Sequence, residues 1–415
     1  MELQTKPIQH SRVIAASPIY YGWVILLAGT FGMAMTTPGQ TVGVSAFLDS
    51  IIADLNLSRS VVSLFYAIGT LCGSFTLPFV GQFIDRYGPR RAVVIISSLF
   101  ALACVWMGNV WNPGTLLIGF ILIRGLGQGA LGLVSLYVVN VWFVKRRGAV
   151  LGMSGVGIAL ASSIFPLLIE FLITTVGWRS GYKLLGLLVV CTILPIGALL
   201  YRGRPELYGL LPDSNRPINP EDTTVEQHFT LAQARSTLTF WLFTMGNLSV
   251  AALVTGLVFH HYSIMGTSGV DRPIAALMFV PFGIVMAGAN LFTGILVDRV
   301  SPRLLLGVTM SLLSLSLLMA TRVHTTEAML LYGSLLGFMQ GMSIALQAVV
   351  YAHYFGRLHL GSINGLATTI AIAGTAFGPI LFALGFDYFG SYAPVLMGAI
   401  GLPVSVMLGT LKRTS

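Results

Sequence analysis

Charge is what this sequence has least of. Only 9% of its residues are Asp, Glu, Lys or Arg, against about 25% in an average soluble protein. A water-facing surface for 415 residues cannot be built from so few charges. Acidic residues are the scarcer sign, 14 against 23 Lys and Arg, for a net charge of +9. The basic residues come singly or in short groups between apolar runs, so there is no basic face or stripe and nucleic acid is not an expected partner. Cysteine is reduced to Cys72, Cys104 and Cys191, each inside an apolar run, and no pair suggests a disulfide or metal framework. No cofactor is expected. HExxH, GxSxG and phosphate-binding loops are missing from any usable position, which argues against an enzyme and against an ATP-driven pump. Gly127-x-Gly129-x-x-Gly132 has the letters of a dinucleotide fingerprint, but it lies inside an apolar helix with no strand before it.

What the sequence has in abundance is hydrocarbon: 55% hydrophobic residues and a mean hydropathy of +0.85. Apolar runs fall at 19–47, 61–84, 92–111, 115–143, 149–175 and 183–201, then at 239–263, 274–297, 303–321, 327–353, 361–386 and 392–411. Each is long enough to cross about 30 Å of hydrocarbon as a helix. Helix is required, because backbone polar groups in lipid need partners within the segment. The ten-residue alternating segments of a membrane β-barrel do not occur. The expectation is an all-α membrane protein of twelve transmembrane helices. Residues 1–18 are polar and the first apolar run is too long for a signal-peptide core, so that run reads as span 1. Residues 202–238 form the longest polar stretch and hold five of the fourteen acidic residues. They divide the chain into an N-terminal six-helix bundle, 1–201, a linker, 202–238, and a C-terminal six-helix bundle, 239–415.

With both termini cytoplasmic, the inner segments hold seventeen Lys and Arg and the outer loops only five: Arg59, Arg179, Lys183, Arg272 and Arg322. That bias predicts the orientation, in a multi-pass protein of the plasma membrane (the inner membrane of a bacterium). All six Trp lie near span ends, as interfacial anchors should.

The two bundles resemble each other at an offset of about 213 residues. Gly81-Gln-Phe-Ile-Asp85-Arg86 matches Gly294-Ile-Leu-Val-Asp298-Arg299, Pro166 matches Pro379, and Gly177 matches Gly390. The run Gly81–Arg91, GQFIDRYGPRR, resembles the signature loop between spans 2 and 3 of the major facilitator superfamily, and Gly294–Arg303 its weaker second copy. Ile123–Gly129, IRGLGQG, resembles that family's span-4 motif. The resemblance implies a gating role for Gly81, Asp85, Arg86, Gly88 and Arg90, with Asp298 and Arg299 as counterparts. It also implies that spans 1, 4, 7 and 10 line a central cavity, and that the pseudo-symmetric bundles alternate access. Tyr21-Gly22-Trp23, Trp142-Phe143 before Lys145-Arg146-Arg147-Gly148, and Arg204-Pro205-Glu206 with Tyr208-Gly209-Leu210 resemble the monocarboxylate and oxalate–formate branch. Many transporters of that branch carry a basic residue in span 8 or 11; here 274–297 and 361–386 have none.

Only two charges lie well inside spans, Arg124 and Glu170. Each costs about 3 kcal/mol or more against lipid, so each must face protein or water and find a partner. Arg124 is a candidate anion holder. Glu170 is a candidate proton exchanger, and the two could instead form a structural pair between spans 4 and 5. Asp49 and Asp387, at span edges, read as solvated. Polar residues recur on single helix faces: Arg124, Gln128 and Ser135 in span 4; Gln340, Ser343, Gln347 and Tyr351 in span 10; Thr244, Asn247 and Thr255 in span 7; Thr30, Thr37, Thr41 and Ser45 in span 1. The substrate-binding candidates are Arg124, Gln128, Asn247, Gln340, Gln347 and Tyr351; otherwise such side chains serve hydrogen bonds between helices. His260 and His261 close span 7, where interfacial solvation or a pH-sensing role is expected, and His260 joins Arg124 and Glu170 as a proton-coupling candidate. Glycines four apart, Gly125/Gly129, Gly148/Gly152, Gly333/Gly337/Gly341 and Gly374/Gly378, predict close helix packing. The expected function is secondary transport of a small, monocarboxylate-like organic anion, coupled to protons, by a monomer in the lipid bilayer. The alternative is export of an apolar or weakly cationic compound.

Overall fold

The computed structural model describes residues 11–143, 147–210, 212, 229–297, 299–356 and 360–411. Lys145, Arg146, Asp298, Arg357 and residues 211 and 213–228 of the segment 202–238 lie outside them, as does the side chain of Asp85. Among the described residues the regular structure is helical throughout, and twelve crossings can be traced. Spans 2 and 3 are Arg59–Tyr87 and Pro89–Met107. Spans 5 and 6 run from Arg147 through Cys191 and on through Ile193–Leu200, separated by a turn at Gly177. Span 7 is Leu238–Phe259 and span 9 Pro302–Ala320. Spans 10 and 11 are Thr326–Phe355 and Leu360–Phe389. Span 8 joins Arg272–Leu277 to Phe279–Leu296, and span 12 joins Ala393–Ala399 to Gly401–Leu411. An even number of crossings puts Arg12 and Leu411 at the same end, here called the terminal end; the opposite one is the far end.

Spans 1 and 4 are irregular near mid-depth. Span 1 consists of Tyr21–Ala34, a tight turn Thr37–Gly39 and Thr41–Leu55. Pro38 removes a backbone donor, and Gln40 turns extended before the helix resumes. The second piece reaches Leu55, eight residues past the apolar run, because its last turns carry Asp49 and Asp54 to basic partners. Span 4 begins as Pro113–Ile123, widens to a π-helix over Arg124–Leu131, and ends as Gly132–Trp142. A π-stretch, bonded i to i+5, loses the α-helical register, so positions on one α-face before it no longer share a face after it.

Gly177 (φ 79°) and Gly390 (φ 67°) reverse the chain after spans 5 and 11, at matching places in the sequence repeat. Large apolar side chains are turned outward along the spans, Phe75, Phe79, Leu102 and Ile295 each more than 60% exposed. An outward apolar surface on that scale is a lipid-facing one. Trp111 sits exposed at a span end, whereas Trp142 is wholly buried: it packs on Tyr20 and Tyr21, and its carbonyl accepts from the Tyr20 hydroxyl at 2.8 Å. It is a core residue, not the interfacial anchor its position predicts.

Spans 8 and 10 pack backbone to backbone. A Cβ on Gly333, Gly337 or Gly341 would run into the carbonyls of Met278, Phe282 and Met286 respectively. Gly374 and Gly378 bring span 11 equally close to Leu248 and Ala252 of span 7. Between the first six spans and the last six, span 5 lies on span 8, span 2 on span 11 and span 1 on span 7.

Gly337→Ala should therefore cost about 1–3 kcal/mol through overpacking and lower the melting temperature of the purified protein. Gly398→Ala, where a new Cβ meets nothing within 4 Å, should leave it unchanged.

Candidate functional site

Between the first and last six spans lies a cavity of about 240 Å³. Span 1 lines it with Met33, Thr36, Thr37, Gln40 and Thr41, around the break; span 5 adds Ser162, span 7 Thr255, span 8 Phe282 and Met286, and span 10 Gln340 and Ile344. Among the described residues no charged side chain faces it. The Gln340 carbonyl oxygen is buried without a partner, an acceptor left for a ligand or water.

Arg124 sits one layer behind that wall. It is 2% exposed. Its Nε donates to Thr70 Oγ1 at 2.9 Å and its Nη1 to the Gly39 carbonyl at 3.0 Å, and the guanidinium lies 4.4 Å from the centre of the Tyr66 ring. Among the described residues Nη2 is buried with no acceptor, and no carboxylate pairs with this cation. The Gly39 carbonyl is free because the helix breaks there, and Gly39 precedes Gln40 of the cavity wall. The Tyr66 hydroxyl bonds Thr41 Oγ1, another wall residue, at 2.6 Å, and the Tyr66 ring touches Phe259 of span 7 with centres 4.4 Å apart. On its other side Arg124, with Gln128, lines a second cavity of about 280 Å³ between spans 2, 4 and 11.

The polar faces read from the sequence do not stay together. Ser135, beyond the π-stretch, points away from Arg124 and Gln128 and bonds the Tyr201 hydroxyl at 2.9 Å. In span 10 the cavity face is Gln340 and Ile344. Gln347 and Tyr351 turn with Asn247 into a crevice of only about 10 Å³ against spans 7 and 9, where Gln347 bonds Ser343 at 2.8 Å and Tyr351 bonds Thr244 at 3.2 Å. These are the hydrogen bonds between and along helices that such residues commonly make. Gln40, Tyr66 and Thr70 are the residues sequence reasoning missed; Pro38-Gly39 was the available signal that span 1 breaks beside them.

Arg124 and Glu170 do not pair. Glu170, 5% exposed, faces Arg272 Nη2 at 3.4 Å. Arg272 also bonds Asp49 at 2.8 Å and the Ala46 carbonyl at 2.6 Å, and Asp49 holds Arg59 at 2.7 Å. This chain of alternating charges spans the far end, with Asp49, Arg59 and Glu170 from the first six spans and Arg272 from the last six. Asp49 is thus a bridging residue rather than a solvated edge. The two histidines are buried, not interfacial. His260 Nε2 meets the Pro379 carbonyl at 2.8 Å and Nδ1 the Tyr392 hydroxyl at 3.4 Å; His261 Nε2 meets the Ala275 carbonyl at 2.9 Å. Tyr392, in the turn between spans 11 and 12, has its phenol pushed up to about 12 by burial, so it reaches His260 as a neutral hydroxyl. At the terminal end Arg86 and Arg299 are exposed, Gly81 has open space, and Arg90 Nε donates to the Ala198 carbonyl at 2.6 Å within its own six spans.

Twelve membrane crossings around a central cavity, with an irregular helix at its wall, define a polytopic membrane transporter. The chain belongs to the major facilitator superfamily, whose model matches residues 23–271 and 251–414. It is 25% identical to monocarboxylate transporter 13 of Rattus norvegicus over 405 residues, covering 95% of this chain and 89% of that one. It is 27% identical to monocarboxylate transporter 14 of Mus musculus over 48% of this chain, and 25% identical to human monocarboxylate transporter 6 over 62%. The matches span only 38% and 56% of those two relatives. A fujikurins efflux protein of Gibberella fujikuroi is 30% identical over 128 residues, 28% of this chain and 26% of that one. Among solved structures, a bacterial homologue of the human lysosomal transporter Spinster, inward-facing and unoccupied, shares the fold with a TM-score of 0.68 at 16% identity, over 95% of both chains.

The charge chain at the far end makes a direct prediction. With Cys72, Cys104 and Cys191 replaced by serine and a cysteine introduced at Val258 in the cavity wall, Arg272→Gln should raise labelling by an impermeant maleimide added from the far side by about fivefold or more. Arg322→Gln, at the same end but unpaired, should not.

Proposed function

We propose that this transporter carries a small organic anion of monocarboxylate type together with protons, by alternating access, from a plasma membrane in which both termini face the cytoplasm. The observation that carries this reading is the Arg124 guanidinium: buried one layer behind the central cavity's wall, with one unused donor and no carboxylate partner among the described residues. A lone cation in such a place is costly unless an anion comes to it in some state of the cycle. Gln340 and Gln40 offer polar groups to orient the ligand, and the cavity's size suits a molecule of few heavy atoms. The monocarboxylate transporters among the relatives support the substrate class.

The bundles 1–201 and 239–415, joined by the linker 202–238, rock about this cavity. The conformation described here is closed at the far, outer end by Arg272 on Asp49 and Glu170 and by Tyr66 on Phe259. A proton on Glu170 removes the charge that faces Arg272 and loosens that closure, which ties proton uptake from outside to opening. The loops around Gly81–Arg90 and Asp298–Arg299 take the corresponding role on the cytoplasmic side when the cycle reverses. His260, with both ring nitrogens engaged, is a structural element and not the proton carrier.

The second reading, export of an apolar or weakly cationic compound, is favoured by one observation: the central cavity wall has no charge and is largely apolar. The fujikurins efflux protein among the relatives points the same way.

Uptake of labelled lactate, pyruvate, formate and oxalate into proteoliposomes separates the two. One acid should be taken up, faster under an inward proton gradient, and Arg124→Ala should reduce that uptake by about tenfold or more, the loss of one charge-assisted contact or greater, while still eluting as a folded monomer. Undiminished uptake by Arg124→Ala would remove the anion-site role, and no uptake of any acid by sealed vesicles would make export the leading reading.

A further inference from the structure

A cavity of about 590 Å³ lies away from the transport path, at the terminal end of the first six spans. Its walls come from the chain before span 1, the junction of spans 2 and 3, and the segment after span 6. Four arginines line it: Arg12, Arg90, Arg91 and Arg202. None of them has an ion-pair partner among the described residues. Arg202 is 6% exposed and firmly mounted, with Nη1 on the Tyr201 carbonyl at 2.8 Å and Nε on Ser11 Oγ at 3.3 Å. Arg90 is anchored by its bond to the Ala198 carbonyl. Span 3 starts at this cavity, on Pro89 after Gly88, with no side chain capping its first amides. A helix N-terminus adds free N–H groups and partial positive charge to the four guanidinium groups.

Four arginines around one cleft, two of them mounted on backbone carbonyls and none facing an acid among the described residues, call for a multivalent or polydentate anion. Guanidinium forks and helix amides match the oxygens of a phosphate. The neighbouring surface indicates where such a phosphate comes from. Arg91, Ile95, Leu99 and Leu102 are spaced four, four and three apart on span 3, so they share one face. That face is exposed throughout, Ile95 at 45%, Leu99 at 46% and Leu102 at 64%. It leads from the arginine cavity along the lipid-facing side of the helix, as an acyl chain below a bound headgroup would run.

We propose that this cavity binds a phosphate-bearing anion, and that its position at the end of an exposed apolar ridge assigns it to the headgroup of an anionic phospholipid. The site is independent of the substrate reading. Its test uses the purified full chain in detergent, titrated with phosphatidylglycerol, with zwitterionic phosphatidylcholine or with inorganic phosphate, and followed by native mass spectrometry and by melting temperature. Phosphatidylglycerol should bind and stabilise, phosphatidylcholine should do so far less, and the double variant Arg12→Gln/Arg91→Gln should lose at least about tenfold in phosphatidylglycerol affinity. Arg235→Gln/Arg322→Gln removes the same net charge elsewhere and should retain full affinity. Stabilisation by inorganic phosphate alone, lost in the first double variant, would uphold the phosphate site but overturn its assignment to a lipid. Equal binding of the two lipids, or equal losses in both double variants, would overturn the site, leaving only diffuse attraction. Both variants must melt like the parent before lipid is added; if the first does not, Arg91→Lys, which keeps the charge but not the fork, replaces it and should lose affinity by a smaller factor.

Discussion

The constraint on which everything else rests is that hydrocarbon offers no hydrogen bonds. Every backbone amide in a span must find its partner within the protein, and continuous helix is the general solution. The departures from that rule in spans 1 and 4 are therefore informative. Span 1 interrupts its ladder at Thr37–Gly39 and span 4 loosens to a π-helix at Arg124–Leu131, and these segments lie against each other. The carbonyl released at Gly39 accepts from Arg124, the first residue of the π-stretch. Irregular backbone is tolerated at membrane depth only where protein or a cavity covers it. Here one irregularity satisfies the other, and the wall of the central cavity is the result.

Charge follows the same logic of scarcity. Arg124 is held by a hydroxyl, a carbonyl and an aromatic face rather than by a carboxylate, which leaves it cationic and only partly satisfied. The acids that might have neutralised it are committed elsewhere: Glu170 and Asp49 converge on Arg272 at the far end. The separation of unpaired cation from paired acids leaves a lone guanidinium at mid-depth and a latch of ion pairs at one end. Because the latch draws its acids and its bridging arginine from opposite sides of the linker, its strength is a property of how the first and last six spans meet.

Close backbone packing supplies the third ingredient. Glycines on spans 10 and 11 seat spans 8 and 7 at carbonyl contact, giving stiff pairs within the last six spans. Between the first and last six, span 5 meets span 8 through Ser163, whose hydroxyl reaches the Val280 carbonyl at 3.3 Å, and through Gly283 against Ala159. Smooth small-residue contacts of this sort allow helices to slide or rock without unpacking.

The sequence alone was enough for the fold class. Twelve long apolar runs, few charges and the GQFIDRYGPRR loop needed no coordinates, because each signal is local: a run's length against the bilayer, or a motif's own letters. The two buried charges were equally legible, since a charge inside an apolar run stands out whatever surrounds it. The partners of those charges were not. Asp49, Glu170 and Arg272 are separated by more than 100 residues, and only packing brings them together. Nor were the polar faces reliable: a regular 3.6-residue wheel put Ser135 with Arg124 and Gln347 with Gln340, whereas the π-stretch turned Ser135 to Tyr201, and spans 7 and 9 took Gln347 away from the cavity that Gln340 lines. Helix existence is decided by the residues within each span and the solvent around it, whereas which face of a helix meets which neighbour is decided by all the other helices at once.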